Sequence, residues 1–395
     1  MTHPIVPSKR TENVTYAVRD IVVLAQKVKA SGKQMLWLNI GDPLKYDFKT
    51  PPHMIEATYN AMLKGENGYS DSAGTPEAID AIKKQADSQG IKNIQNVIIT
   101  NGGSEAIDIC LTAILNPGDN ILTPSPGYPL YGAIVNKLEA HENPYQLNEE
   151  NDWQPDIADM EAKINDRTKG IVLINPNNPT GSICGKETML QIIELARKHN
   201  LVIFSDEIYD KLIFDGGECV SIASLADDIC FVTFNGLSKS YLVPGWRIGW
   251  GILSGPIDIC KDYSEAISKF TRARLCANHP MQWAIKPALE GPQEHIKEAI
   301  DKLEKRRDVS MNLLNQIDGI SCVPPKGAFY AFPRLADGID DKKWVEGLIE
   351  KTGVVTVHGS GFGQKPGTSH FRIVLLPDEK TLENACNLIS DYMKG

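Results

Sequence analysis

Six short apolar runs, at residues 97–100, 120–124, 170–175, 201–205, 229–235 and 247–253, punctuate the middle of this chain, with helical patterns between them. That alternation is the signature of stacked βα units around a mainly parallel sheet. Helices are expected over residues 104–115 and Lys186–His199, the second with Met189, Ile192, Ile193 and Ala196 at helical spacing. After Gly291 the texture changes to a long charged helix (294–317), short strands at 320–323, 327–332, 354–357 and 371–376, a helix near 344–350 and a last helix from Asp378. The fold class is therefore α/β, a large domain with a mainly parallel sheet flanked by helices plus a smaller α+β domain formed by the N- and C-terminal segments. The expected division is 1–50 for an N-terminal arm and part of the small domain (helix 19–30, strand 35–40), 51–291 for the large domain and 292–395 for the small one.

A length of 395 residues suits two or more domains, and 42% hydrophobic with 23% charged residues is ordinary globular composition. The net charge of −9 argues against a phosphate-backbone binder, and no run of lysine or arginine is dense enough for a nucleic-acid patch. The expected ligands are small molecules. The first residues hold no apolar core of signal-peptide length, and no segment approaches the roughly eighteen apolar residues of a membrane span, so a cytoplasmic location is expected. The cysteines are scattered without a CxxC pair and read as reduced core thiols.

Within this frame, Phe234-Asn235-Gly236-Leu237-Ser238-Lys239 ends an expected strand in a small-residue turn that delivers one lysine, with Arg247 following in sequence. A lysine amine condenses with an aldehyde only when some neutral amine is available, and a desolvated site beside other cations lowers its pKa toward neutrality. Arg247 could be such a neighbour or could hold a phosphate through its planar fork of donors. Taken alone, this window reads as a surface lysine. The company at the other strand ends changes that reading.

Asp206 closes the run 201–205, where an open α/β sheet presents ligand-binding residues, and Tyr209 follows one turn later. By themselves the pair reads as a helix cap and a core tyrosine. Asn178, in Asn175-Pro176-Asn177-Asn178-Pro179-Thr180-Gly181, is held between prolines with both donor and acceptor capacity. Gly103 and Ser104 lead from a strand into a helix whose N-terminal amides favour an anion, and Ser104 serves equally as an N-cap. Tyr128, in Pro126-Gly127-Tyr128-Pro129, is a rigidly presented aromatic suited to stacking on a planar ring. Arg372 sits inside an apolar strand and needs an acidic partner, structural or substrate.

The set Asn178-Pro179-Thr180-Gly181, Asp206-Glu207-Ile208-Tyr209, Ser238-Lys239 and Pro244-Gly245-Trp246-Arg247 resembles the fold-type I aminotransferases of class I/II, which depend on pyridoxal 5'-phosphate. Within them, Glu12-Asn13-Val14-Thr15-Tyr16-Ala17-Val18-Arg19, Leu38-Asn39-Ile40-Gly41-Asp42-Pro43 and Arg274-Leu275-Cys276-Ala277-Asn278 look most like microbial alanine (glutamate–pyruvate) aminotransferases. The resemblance implies that Lys239 bonds the cofactor aldehyde and moves a proton, and that Asp206 keeps the pyridine nitrogen protonated. It also implies that Asn178 and Tyr209 bond the ring's phenolic oxygen, that Tyr128 stacks on the ring, and that Gly103, Ser104, Ser238 and Arg247 hold the phosphate. Tyr69 would reach that phosphate across a homodimer interface, with Asn278 beside it. Arg372, with Asn178 and the Gly41 backbone, would grip the substrate α-carboxylate, and Tyr16 and Arg19 would meet the distal group. The implied partners are amino acids and 2-oxo acids.

One position departs from the family pattern: many relatives carry a serine three residues before the lysine, where this chain has Gly236. A phosphate hydroxyl is thus absent there. Aspartate or aromatic aminotransferases and carbon–sulfur β-lyases share the cofactor motifs and remain alternatives. A dehydrogenase or kinase would need a GxGxxG or a correctly spaced Walker string, and neither is present. A non-catalytic regulator would need a basic DNA-binding domain, for which the N-terminus is too short.

Overall fold

The computed structural model describes residues 4–13 and 17–395. Its main sheet has eight strands in the spatial order Ile94–Thr100, Gly249–Ser254, Phe231–Gly236, Val202–Asp206, Thr168–Ile174, Asn120–Ser125, His141–Asn148 and Gln154–Pro155. The pairings from Phe231–Gly236 through to His141–Asn148 are parallel, whereas Gly249–Ser254 runs antiparallel to both its neighbours. Strand Gln154–Pro155 closes the far edge antiparallel.

Alternate side chains along each central strand serve two separate apolar clusters, one per face. Ile99, Leu122, Ile171, Ile203 and Phe231 belong to one cluster, and Ile98, Ile121, Val172, Phe204 and Val232 to the other. This period of two, with both faces covered, is why the strands read as continuous apolar runs. Helix Lys186–His199 buries Met189, Ile192, Ile193 and Ala196 as its spacing predicts, and Asn200 ends it in the left-handed region at φ 52°.

A smaller sheet joins Ile320–Ser321, Arg334–Leu335, Ser369–Val374 and Tyr330–Ala331, with Val357–His358 also paired to Ser369–Val374. The N-terminal strand Leu36–Trp37 pairs parallel with Val354–Val355, and helix Ala17–Ala30 packs on helix Asp341–Thr352. The long helix Glu294–Leu314 is tied in by buried Arg306, which donates to Leu376 O at 2.6 Å and to Asp47 Oδ1 at 2.7 Å. No described helix is long and apolar enough to cross a membrane.

Several elements differ from expectation. Arg247, expected to open a strand, instead caps a short 3-10 helix at φ 54°, and its strand begins at Gly249. Strand His141–Asn148 was not expected from its sequence, because it is largely exposed and contains Pro144. The small-sheet strands at 35–40 and 327–332 shrink to the two-residue pairings Leu36–Trp37 and Tyr330–Ala331.

Candidate active site

Apart from Gly249–Ser254 and the edge strand Gln154–Pro155, the strands of the main sheet share a direction, so the turns after Thr100, Ser125, Ile174, Asp206 and Gly236 open onto one edge. Strand Gly249–Ser254 runs the other way, which brings its beginning, and Arg247 before it, to the same edge. A cavity of about 600 Å³ lies there. It is lined by Gly41, Gly103, Ser104, Tyr128, Asn178, Asp206, Tyr209, Ser238, Lys239, Arg247 and Arg372, so eleven of the expected site residues meet in one place.

Lys239 Nζ donates to Gly41 O at 2.9 Å and lies 5.4 Å from the Phe329 ring. Its pKa is pushed down from 10.5 to about 8, first by removal from water, with Arg372 and Arg247 adding to the depression and Asp42 and Asp206 opposing it. Asp206 is the converse case. It is 6% exposed, and burial raises its carboxyl from 3.8 to about 6, against the lowering effects of the Ile208 N–H, the Tyr131 hydroxyl and Lys239. Those two hydrogen bonds measure 3.3 Å and 3.2 Å.

Arg247 Nη2 donates to Ser104 Oγ at 3.1 Å, at the start of helix Gly103–Thr112. Gly102 has φ +82°, and a Cβ there would come within 2.3 Å of an Arg247 nitrogen, so the backbone lies directly against the guanidinium. Free helix-terminal amides beside a guanidinium form a cradle for an oxyanion. Gly236 has a packing reason as well. A Cβ there would sit 2.8 Å from Ile248 O and 2.9 Å from Gly249 Cα, so this backbone leaves no room for the serine of other family members.

On the other wall, Arg372 donates through Nη1 to Asn178 Oδ1 at 3.0 Å and through Nη2 to Asn39 O at 2.6 Å. Both of these acceptors are neutral oxygens. Tyr330 and Phe362 rings lie 4.6 and 4.5 Å from its Cζ. The Tyr209 and Tyr330 hydroxyls are 3.0 Å apart.

Of the expected residues whose side chains are described, one is not gathered into this cavity. Tyr69 is 83% exposed and does not line it. Tyr16 falls outside the described residues, and of Arg19 only the helical backbone is described. Conversely, Asp42, Tyr131 and Tyr330 belong to the site and were not singled out. Tyr131 lies one helical turn beyond Tyr128, a spacing that was available in the sequence. Tyr330 shows no signal, because a tyrosine in a two-residue strand looks like core.

An amine near neutrality, an oxyanion cradle, a buried carboxylate and a ring-lined wall match the aldehyde, phosphate, basic nitrogen and flat ring of pyridoxal phosphate. The match of chain to family is equally direct. Residues 33–389 fit the family of aminotransferases of class I and II. The chain is 41% identical to the glutamate–pyruvate aminotransferase AlaA of Escherichia coli, over 99% of this chain and 98% of that one. It is 38% identical to the alanine aminotransferase of Mycobacterium tuberculosis strain H37Rv, covering 98% and 92% respectively. The solved alanine aminotransferase from Pyrococcus furiosus superposes with a TM-score of 0.95 at 41% identity, covering 98% of this chain and 100% of that one. The chain belongs to the aminotransferases of class I and II.

Proposed function

We propose that this aminotransferase uses pyridoxal phosphate to exchange an amino group between alanine and 2-oxoglutarate, giving pyruvate and glutamate. The observation that carries the cofactor reading is Lys239, with a pKa near 8, on one cavity edge with buried Asp206 and the Arg247–Ser104 cradle. Similarity to the glutamate–pyruvate and alanine aminotransferases supports the substrate pair.

Bound pyridoxal phosphate supplies an aldehyde that takes up amino groups and a protonated ring that draws electrons from the substrate Cα. The residues divide the remaining work. At neutral pH a pKa near 8 leaves part of Lys239 as free amine, able to bond the aldehyde and, once displaced, to take a proton from Cα and return it. Asp206, ionised above about pH 6, would hold a proton on the ring nitrogen. Asn178 and Tyr209 would bond the phenolic oxygen, and Tyr128 would pack on the ring. Gly103, Ser104, Ser238 and Arg247 would hold the phosphate, and Arg372, with Asn178 and the Gly41 backbone, the α-carboxylate.

The reading includes a homodimer with shared sites, and the three-part division at residues 50 and 291. Supporting the dimer, Tyr59, Leu63, Tyr69 and Leu275 are exposed apolar groups. His279 Nδ1 lies 2.9 Å from Gly68 O, which sets the loop carrying Tyr69 beside Asn278. Closed two-fold pairs are the commonest soluble assembly. The substrate assignment is tested by measuring kcat/KM for alanine, glutamate, aspartate, tyrosine and cystathionine against pyruvate and 2-oxoglutarate. Alanine with 2-oxoglutarate, and glutamate with pyruvate, are expected to lead; a preference for any other donor overturns the assignment.

A further inference from the structure

We propose that Phe362, on a strap anchored by the buried carboxylate of Asp341, is a positioning residue for Arg372 and links the grip on the α-carboxylate to the turn bearing Tyr128. The proposal rests on the aminotransferase reading above.

Two rings pack near Arg372, and they are held by different means. Tyr330 belongs to a strand of the small sheet, in register with Val374, and its hydroxyl is bonded to Tyr209. Phe362 instead ends a single-turn 3-10 helix, Gly359–Phe362, in a connecting segment. Its place near the guanidinium, 4.5 Å from Cζ, therefore depends on whatever fixes that segment.

What fixes it is Asp341. Helix Asp341–Thr352 is already capped by Asp340, whose side chain accepts from Lys343 N, so the neighbouring carboxylate is not needed for that purpose. Asp341 is 7% exposed and turns to the strap. Its Oδ2 accepts from Ser360 N at 2.6 Å and Gln364 Nε2 at 3.1 Å, and its Oδ1 from Ser360 Oγ at 3.2 Å and Lys342 N at 2.9 Å. Four donors thus converge on the two oxygens of this one side chain. With its nitrogen on Asp341, Gln364 presents Oε1 to His370 Nδ1 at 3.1 Å, two residues from Arg372 on the same strand. The approach is close enough that a Cβ on Gly359 would meet Gln364 Oε1 at 2.5 Å and His370 Cβ at 2.7 Å.

The far end of the strap meets the turn that precedes Tyr128. Gly127 N donates to Phe362 O at 2.8 Å. Gly363, at φ +72°, passes so near Ser125 that a Cβ would lie 3.0 Å from its Oγ. Gly127 immediately precedes Tyr128, which lines the cavity. One run of contacts thus joins Asp341, Ser360, Phe362 and both Arg372 and the Tyr128 turn. A ring fixed against the guanidinium keeps water from it and restricts its orientation, and both effects strengthen its pairing with a carboxylate.

The test uses the holoenzyme. Phe362→Ala is expected to raise KM for alanine and glutamate together by about tenfold while kcat stays within about twofold, as loss of one desolvated cation–ring contact implies. The Kd of 2-methylalanine, which carries the α-carboxylate but no Cα hydrogen, should rise equally when read from the cofactor absorbance. Cofactor affinity should hold, and the melting temperature should fall, as it does when any buried phenylalanine is cut to alanine. Phe362→Leu, which keeps apolar bulk but no ring, should recover little of the loss. Asp341→Ala, or Asp341→Asn should the alanine variant not fold, should mimic Phe362→Ala, and the double variant should be no worse, since one path carries both effects. On an Arg372→Ala background, Phe362→Ala should add nothing. Unchanged KM in folded Phe362→Ala, additive losses in the double variant, or an undiminished loss without Arg372 would each overturn the proposal. Failure of the aminotransferase reading looks different: the unmodified protein would turn over no donor.

Discussion

The two walls of the cavity are built on opposite plans. The proposed cofactor wall consists of turns at the ends of main-sheet strands, so Gly103, Asp206, Lys239 and Arg247 are set by local sequence and strand direction. The proposed substrate wall is assembled from distant pieces: Arg372 donates to Asn39 O across 333 positions of sequence and lies by rings from two further segments. Strand ends can fix chemistry with short motifs, whereas the proposed grip on the carboxylate common to every donor is left to long-range packing. One wall should fail all at once when altered, and the other by degrees.

Lys239→Ala is the severest break on the first wall. It should abolish turnover, by at least about 10⁴-fold for loss of both the covalent anchor and the proton carrier, with the fold intact. Borohydride reduction and peptide mapping of the unmodified enzyme should find the cofactor on Lys239, and label on another lysine would refute its role. Mixing this variant with Tyr69→Phe should restore activity in hybrid dimers; no recovery would count against shared sites.

Asp206→Asn should keep the cofactor but slow the half-reaction by roughly 10²–10³-fold, because a neutral amide no longer holds the ring proton. Single-turnover absorbance measures it. A near-normal rate would make Asp206 structural.

On the second wall, Arg372→Ala should weaken alanine and glutamate together by about 2–5 kcal/mol, the usual cost of removing one partner of a buried charge pair. The losses should fall on KM for every donor. A loss confined to glutamate would reassign Arg372 to the distal carboxylate.

The same contrast explains what could be read from sequence. The runs ending at Thr100, Ile174 and Asp206 are visible because both faces of their strands are buried, and the chemistry at their ends is contiguous with them. The reversed direction of Gly249–Ser254 was not legible, since an apolar run carries no mark of orientation. His141–Asn148 gave no apolar run at all. Asp42, Tyr330 and Phe362 owe their place to contacts between segments that no periodicity records. Gly236 looked like a missing hydroxyl, and only the backbone of the neighbouring strand shows why a side chain has no room there.

The smallest expected effect concerns what the cofactor wall costs the fold before any ligand binds. Folding lowers the Lys239 pKa from 10.5 to about 8, chiefly by burial. Below pH 8 the amine is charged in both the folded and unfolded chain, so the folded state bears the full penalty of burying that charge. Above about pH 10.5 it is neutral in both, and the penalty is gone. Linkage therefore requires that the unfolded chain bind more protons between those values and that stability rise with pH across that window. Lys239→Met removes the charge while keeping the length and apolar stem of the side chain. Freed of cofactor, this variant should be more stable than the unmodified chain at pH 7, by about 1–3 kcal/mol after allowing for solvent screening. The advantage should shrink as pH rises from 8 toward 10.5. Denaturant melts of both apoproteins at several pH values measure it, and an advantage that is absent at pH 7 or that grows with pH would mean that Lys239 is not held in a desolvated, cation-rich site.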